Sequence, residues 1–135
     1  MTLKETKEVD MSILMTGIII VSLFFLHEMD AIRAKEWKMF IFFKNMREET
    51  AYKIFAGVHF PLYLIMLFFI IQDNDNTRVW FFIVLDILLI LHTFVHFLFR
   101  NNKNNGFLSL FSKVIIYLTG IAAILNFILL ILNNI

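Results

Sequence analysis

Four long apolar runs constrain this chain more than any other feature. Each carries few or no charged side chains and has the roughly 17–25 residues that a helix needs to cross a hydrocarbon core of about 30 Å. The runs cover residues 11–31, 54–71, 79–99 and 112–132. Backbone groups inside a bilayer find no water to pair with, so spanning segments are helices or closed barrels. The sequence predicts an all-α fold, an integral membrane four-helix bundle.

The composition supports this fold class and leaves room for little else. Of the 135 residues 60% are apolar, including 17 Phe, which is more than a soluble domain of this size can bury. We expect one transmembrane domain over residues 11–132, flanked by an N-terminal tail at 1–10 and a C-terminal tail at 133–135. Cys is absent, which excludes disulfides and thiolate metal sites. No basic tail or RNA-binding pattern is present, so a nucleic acid partner is not expected.

The positive charges are distributed unequally between the two sides of the predicted bundle. One side carries Arg33, Lys35, Lys38, Lys44, Arg47, Lys53, Arg100, Lys103 and Lys113, and the other carries Lys4, Lys7 and Arg78. Cytoplasmic loops hold the excess of Lys and Arg in membrane proteins. We therefore expect a multi-pass protein of the cell membrane with both termini outside.

The connection between the first two spans, residues 30–53, is too long for a plain turn. It mixes charges with Trp37, Tyr52 and the run Phe40–Phe43. Amphipathic segments of this kind lie in the membrane interface. We expect the first helix to continue past the bilayer and a cytoplasmic interfacial helical segment to follow it.

Ionisable side chains within spans are costly, so they are candidates for function. They are His27, Glu28, Asp30, His59, Asp86, His92 and His96. The alternating direction of the helices places all four histidines of the protein in the cytoplasmic half, roughly 5–10 Å below the inner boundary at 1.5 Å rise per residue. Three helices thus bring imidazoles to a common depth.

The spacing of these residues favours a metal site. His92 and His96 stand one helical turn apart, about 40° apart around the axis, which suits two ligands of one ion. The candidate metal ligands are His27, Asp30, His59, His92 and His96. Imidazole and carboxylate without sulfur suit Zn, Fe or Mn. Glu28 and Asp86 are the candidate catalytic residues, because a metal hydrolase needs a general base.

Each of these residues also has an ordinary structural explanation. A single His in a span is commonly a hydrogen-bonded packing residue. Glu28 and Glu36, close to Arg33 and Lys35, fit an interfacial salt-bridge cluster, and we place Glu36 beyond the membrane edge. Asp86 fits a simple pair with Asn126 or with a buried water, or a hydrogen bond that orients a His.

The segment "LHEMDAIRAKEWKMF" resembles a family of small bacterial integral membrane proteins of unknown function, marked by His-Glu-x-Asp-Ala followed closely by Glu-Trp. The resemblance continues in "HFPLYLI", "HTFVHFLFR" and "FLSLFSKVII" and covers nearly the whole membrane domain. It implies that the signature positions are His27, Glu28, Asp30, Glu36, Trp37, His59, His92, His96 and Arg100. It implies no reaction and no substrate.

Three functions remain open from the sequence. The first is a metal-dependent membrane enzyme acting on a lipid or another apolar substrate from the bilayer. The second is a non-enzymatic accessory or structural protein whose polar layer fixes helix packing, in contact with the lipid bilayer and with a second copy or another membrane protein as partner. The third is haem binding and electron transfer through paired histidines.

Overall fold

The computed structural model describes residues 3–43, 45–72 and 74–134, with side chains from residue 11 to residue 132 outside the two gaps. Four α-helices make up the fold: α1 (Leu3–Ala34), α2 (Glu48–Ile70), α3 (Asp75–Leu98) and α4 (Leu110–Asn134). Short 3-10 turns follow α1 and α3, at Glu36–Met39, Ile41–Phe43 and Phe99–Asn101. The predicted all-α, four-helix class is confirmed, and each helix is long and apolar enough to cross a membrane.

The helices extend beyond the apolar runs from which they were predicted. The first helix begins at Leu3 within the expected tail, α2 begins at Glu48 rather than residue 54, and α3 begins at Asp75 rather than residue 79. A capping group sets the start of α3, where Asn74 Oδ1 accepts the backbone N–H of Thr77 at 3.0 Å. Hydropathy locates the apolar part of a helix, whereas the helix itself can continue through polar residues to either side of it.

The connection between α1 and α2 is tighter than the expected interfacial helix. It consists of the two 3-10 turns, of which the first buries Trp37 against Tyr52 and Phe55, with ring centroids 5.6 and 5.5 Å apart. The second turn leaves Ile41 and Phe42 about nine-tenths exposed. One part of the connection therefore anchors to the bundle, and the other presents apolar side chains outward, as expected at a membrane interface.

The core lies between α1, α3 and α4, while α2 is peripheral and buries only Ala51, Phe55 and Met66. Gly17 allows α1 to approach α3 closely, because a Cβ there would lie 2.1 Å from the ring of Phe82. The unit of α1, α3 and α4 carries most of the polar side chains discussed below, and α2 packs against one side of it.

Candidate metal centre

Four side chains from three parts of the chain meet at the end of the bundle where α1 and α3 finish. They are His27 on α1, Glu36 in the first 3-10 turn, and His92 and His96 on α3, each offering one ligand atom. These ligand atoms all lie within 4.8 Å of one another. The group could hold a metal ion.

The separations of the ligand atoms resemble those around a tetrahedral ion. His92 Nε2 lies 2.8 Å from His27 Nε2 and 3.1 Å from His96 Nε2. Glu36 Oε1 lies 3.2 Å from His96 Nε2 and 4.0 Å from His92 Nε2. Donor atoms bound to zinc at about 2.0–2.1 Å are separated by about 3.3–3.4 Å in a tetrahedron. Two of the four distances lie within about 0.3 Å of this value, and the group could hold one divalent ion.

Hydrogen bonding alone does not satisfy this arrangement. His92 Nε2 faces two other Nε2 atoms at hydrogen-bond distance, and one N–H can donate to only one of them at a time. His27 Nδ1 has no hydrogen-bond partner among the described residues, although the ring is 1% exposed. A cation would satisfy the three converging lone pairs together.

Glu36 reaches the centre because the chain turns sharply after α1. Lys35 has φ 55° and ψ 50°, a left-handed conformation that non-glycine residues rarely adopt. The turn buries Glu36 to 3% exposure instead of letting the helix carry it outward. Lys35 and Lys38 both form ion pairs with Glu48 at the start of α2, and these pairs connect the turn to α2.

Glu36 is the charged member of the cluster. Burial by itself raises the pKa of its carboxyl, but the hydrogen bond with His96 and the neighbouring imidazoles of His92 and His27 outweigh burial. The pKa of Glu36 consequently lies below its usual value. A buried carboxylate surrounded by three imidazoles is a suitable environment for a divalent cation.

Phe107 closes the centre from the side of α4. Its ring stacks on His27 with centroids 5.5 Å apart and meets His96 edge-on at 4.6 Å. Gly106 makes this position possible, because a Cβ there would lie 2.0 Å from the carbonyl oxygen of Ala34. The loop before α4 therefore rests directly on the end of α1 and covers the imidazoles.

Glu28 and His59 form a second polar pair beside the centre. His59 Nε2 lies 2.7 Å from Glu28 Oε2, and its Nδ1 lies 2.6 Å from the carbonyl oxygen of Phe55. If Nδ1 donates to that carbonyl, the contact with Glu28 needs one further proton, on the imidazole or on the carboxyl. The contact places an imidazole and a carboxyl next to each other beside the centre, and these are the side-chain types that serve in general acid–base catalysis.

Asp30 and His59, two of the ligands expected from the sequence, lie outside the set of four. Asp30 Oδ1 accepts from Arg33 Nε at 2.7 Å, and Arg33 Nη2 donates to Ser112 Oγ at 2.9 Å, so this carboxylate joins α1 to α4. Arg33, one turn further along α1, thus pairs with Asp30, and this carboxylate does not join the set of four. His59 lies on the peripheral helix α2, and its Nε2 contacts Glu28 instead of the other histidines.

Asp86, expected from the sequence as a catalytic residue, lies in a different polar cluster deeper in the bundle. Asn126 Nδ2 donates to Asp86 Oδ2 at 2.7 Å, and Thr16 Oγ1 donates to Asn126 Oδ1 at 2.7 Å. These three residues link α1, α3 and α4. Asp86 is fully buried, and its Oδ1 has no hydrogen-bond partner among the described residues.

A cavity of about 330 Å³ opens beside the centre. Glu36 and His92, the two ligands separated by 4.0 Å, line it together with Glu28 and His59. The remaining lining is apolar: Phe24, Phe40, Phe43, Phe55, Val58 and Leu62. The gap of 4.0 Å between Glu36 Oε1 and His92 Nε2 thus faces the cavity, and 30% of the His92 side chain is accessible.

Taken together, these features define a small all-α protein with four membrane-length apolar helices and a His/Glu group that could hold a metal ion. The chain belongs to a family of unknown function (DUF6713), whose family model matches residues 13–133. Neither the curated proteins nor the solved structures contain a match to the chain.

Sequence reasoning missed two residues that the structure brings to the centre. Glu36 was expected at a surface salt-bridge cluster, because an uninterrupted helix would have carried it past the membrane edge. Phe107 opens the segment "FLSLFSKVII" of the family resemblance, but an aromatic residue in an apolar chain gave no indication of a place at the centre. For Glu36 the available signal was its place in the Glu-Trp part of the signature segment.

Proposed function

We propose that this protein is a metal-dependent membrane enzyme with one divalent ion held by His27, Glu36, His92 and His96. The observation that carries the proposal is the convergence of three Nε2 atoms and one carboxylate oxygen within 4.8 Å. Imidazole and carboxylate ligands suit Zn, Fe or Mn. The open side of the cluster, between Glu36 and His92, supports access by a substrate.

The residues around the cavity would divide the chemistry. A bound divalent ion supplies Lewis acidity and activates water for nucleophilic attack. Glu28 and His59, whose Oε2 and Nε2 lie 2.7 Å apart, would accept a proton from a water molecule in the cavity and return it to a leaving group. The apolar wall would take up the hydrophobic part of the substrate. This arrangement fits hydrolysis of a lipid or another apolar substrate that enters sideways from the bilayer.

The orientation of the protein forms part of the same proposal. The end of the bundle that carries the candidate centre also carries most of the Lys and Arg residues. By the positive-inside tendency this end is cytoplasmic, both termini are outside, and the protein is a multi-pass protein of the cell membrane. The centre then serves the inner leaflet.

Metal analysis of purified protein tests the proposal. We expect near-stoichiometric metal in the wild type and its loss in the His92→Ala/His96→Ala double variant. His59→Gln and Asp86→Asn provide matched controls that should retain the metal, because neither side chain belongs to the set of four. Absence of metal from the wild type, or equal metal in the double variant and the wild type, would contradict the proposal.

A second candidate function is structural. Four protein ligands complete a tetrahedron, and complete sites of this type usually stabilise folds instead of catalysing reactions. An accessory membrane protein whose polar layer fixes helix packing would use the ion in this way. Chelation distinguishes the two: a structural ion predicts that removing it abolishes cooperative thermal unfolding in detergent, whereas a catalytic ion predicts a metal-free protein that still unfolds cooperatively.

Haem ligation, the third function left open by the sequence, fits the geometry poorly. The Nε2 atoms of His27 and His92 lie 2.8 Å apart and leave no space for a porphyrin between them. A purified sample with a Soret band would overturn this reading.

A further inference from the structure

A long groove between α2 and α3 lies next to the cavity beside the centre. The groove has a volume of about 540 Å³ and is lined on α2 from Leu62 to Phe69 and on α3 from Asn76 to Leu88. Leu62 lines both the cavity and the groove. The cavity and the groove are therefore neighbours, and together they form an apolar path from the candidate centre toward the opposite end of the bundle.

The charges along this path lie at one end only. Every ionisable side chain that lines the cavity belongs to the pair Glu28–His59 or to the ligands Glu36 and His92. The groove lining has no ionisable residue, and its two polar members, Asn76 and Thr77, stand at the far end. A molecule occupying the whole path would have a polar group at the metal end and a hydrocarbon part in the groove.

The length of the groove matches a hydrocarbon chain. Along α3 from Leu88 to Asn76 it extends about 18 Å at 1.5 Å rise per residue. One leaflet of a hydrocarbon core about 30 Å thick measures about 15 Å, which is the length filled by the chains of its lipids. A helix from a second copy, about 10–12 Å across, would cover the groove without entering the cavity.

Resting on the proposed function, we infer that the substrate is a lipid with its polar group at the metal and one hydrocarbon chain in the α2–α3 groove. Moving that chain from surrounding lipid into an apolar groove changes little in free energy, because both environments are apolar. Selective occupancy therefore depends on the polar group at the centre and on close packing around Leu62 and Met66.

Photolabelling tests this inference. The protein is placed in phosphatidylcholine nanodiscs with palmitic acid carrying a mid-chain diazirine, and labelled peptides are mapped by mass spectrometry. We expect labels to concentrate on the α2 and α3 segments that line the groove, and to fall about tenfold in Leu62→Trp, which plugs the junction. Leu125→Trp, on the exposed face of α4, is the matched control and should label as the wild type does.

Metal content measured on the same nanodiscs separates the inference from the proposed function. Groove labelling that falls in Leu62→Trp while the metal is retained supports the inference. Labels spread evenly over the exposed faces of α2, α3 and α4 in metal-loaded protein would overturn it and leave the proposed function intact. Selective labelling in a wild type that holds no metal would overturn the proposed function, because the anchor for the polar group would be missing.

Discussion

At the scale of single residues, Lys35 decides the composition of the candidate centre. A helix continuing through Lys35 would carry Glu36 away from the bundle, as expected from the sequence. The left-handed turn at Lys35 instead buries Glu36 beside His96. Such a conformation costs of order 1–3 kcal/mol and persists only when its surroundings hold it in place. The ion pairs of Lys35 and Lys38 with Glu48 are part of that support.

Replacement of Glu36 tests its role as a ligand. In Glu36→Gln the side chain keeps its size but loses its charge, so we expect zinc affinity to fall by about 100-fold or more, beyond the 10–100-fold typical of residues that only orient a ligand. Competition with a chromophoric chelator measures this affinity. Glu49→Gln, an exposed carboxylate paired with Lys53, is the control. Equal affinities in the two variants would remove Glu36 from the ligand set.

At the scale of helices and loops, part of the centre follows from periodicity and part does not. The spacing of His92 and His96 on one helical face is predictable, because a helix repeats every 3.6 residues. The arrival of His27 at the same depth follows from the direction of α1. The approach of the loop before α4 depends on the missing Cβ of Gly106, which no periodicity reveals.

Gly106 therefore offers a test of the loop that covers the centre. A methyl group at this position would lie 2.0 Å from the carbonyl oxygen of Ala34, so Gly106→Ala must displace the loop and Phe107 with it. We expect a loss of about 1–3 kcal/mol in unfolding free energy and faster release of metal to a chelator.

Gly57→Ala is the control for this change, because an added Cβ there meets nothing within 4 Å. It should leave the metal release rate unchanged and stability equal or slightly higher. Identical metal release by Gly106→Ala and the wild type would show that the loop does not need its close approach.

At the scale of the whole molecule, the fold was more predictable than the site. Four apolar runs of membrane length determine four helices, and their alternating direction brings the histidines to one end. Which carboxylate lies beside the histidines depends on individual side-chain contacts and on one backbone turn, and composition predicts neither. Arg33 and Ser112 engage Asp30, His59 engages Glu28, and the turn at Lys35 brings Glu36 inward.

The orientation of the molecule is testable because the sequence has no Cys. A single thiol introduced as Asn104→Cys lies on the loop between α3 and α4, and Gln72→Cys lies on the turn between α2 and α3. We expect an impermeant maleimide to label Gln72→Cys in intact cells and Asn104→Cys only after permeabilisation. The opposite pattern would reverse the proposed orientation and move the centre to the outer leaflet.

The order of the four ligands along the chain has a consequence for biosynthesis. His27 and Glu36 leave the ribosome early, whereas His92 and His96 follow only after α2 and most of α3 have been made. A nascent chain therefore presents one imidazole and one carboxylate until its third helix inserts. Under the proposed function metal loading follows that insertion, so the ion would bind late and connect helices that are already in the membrane.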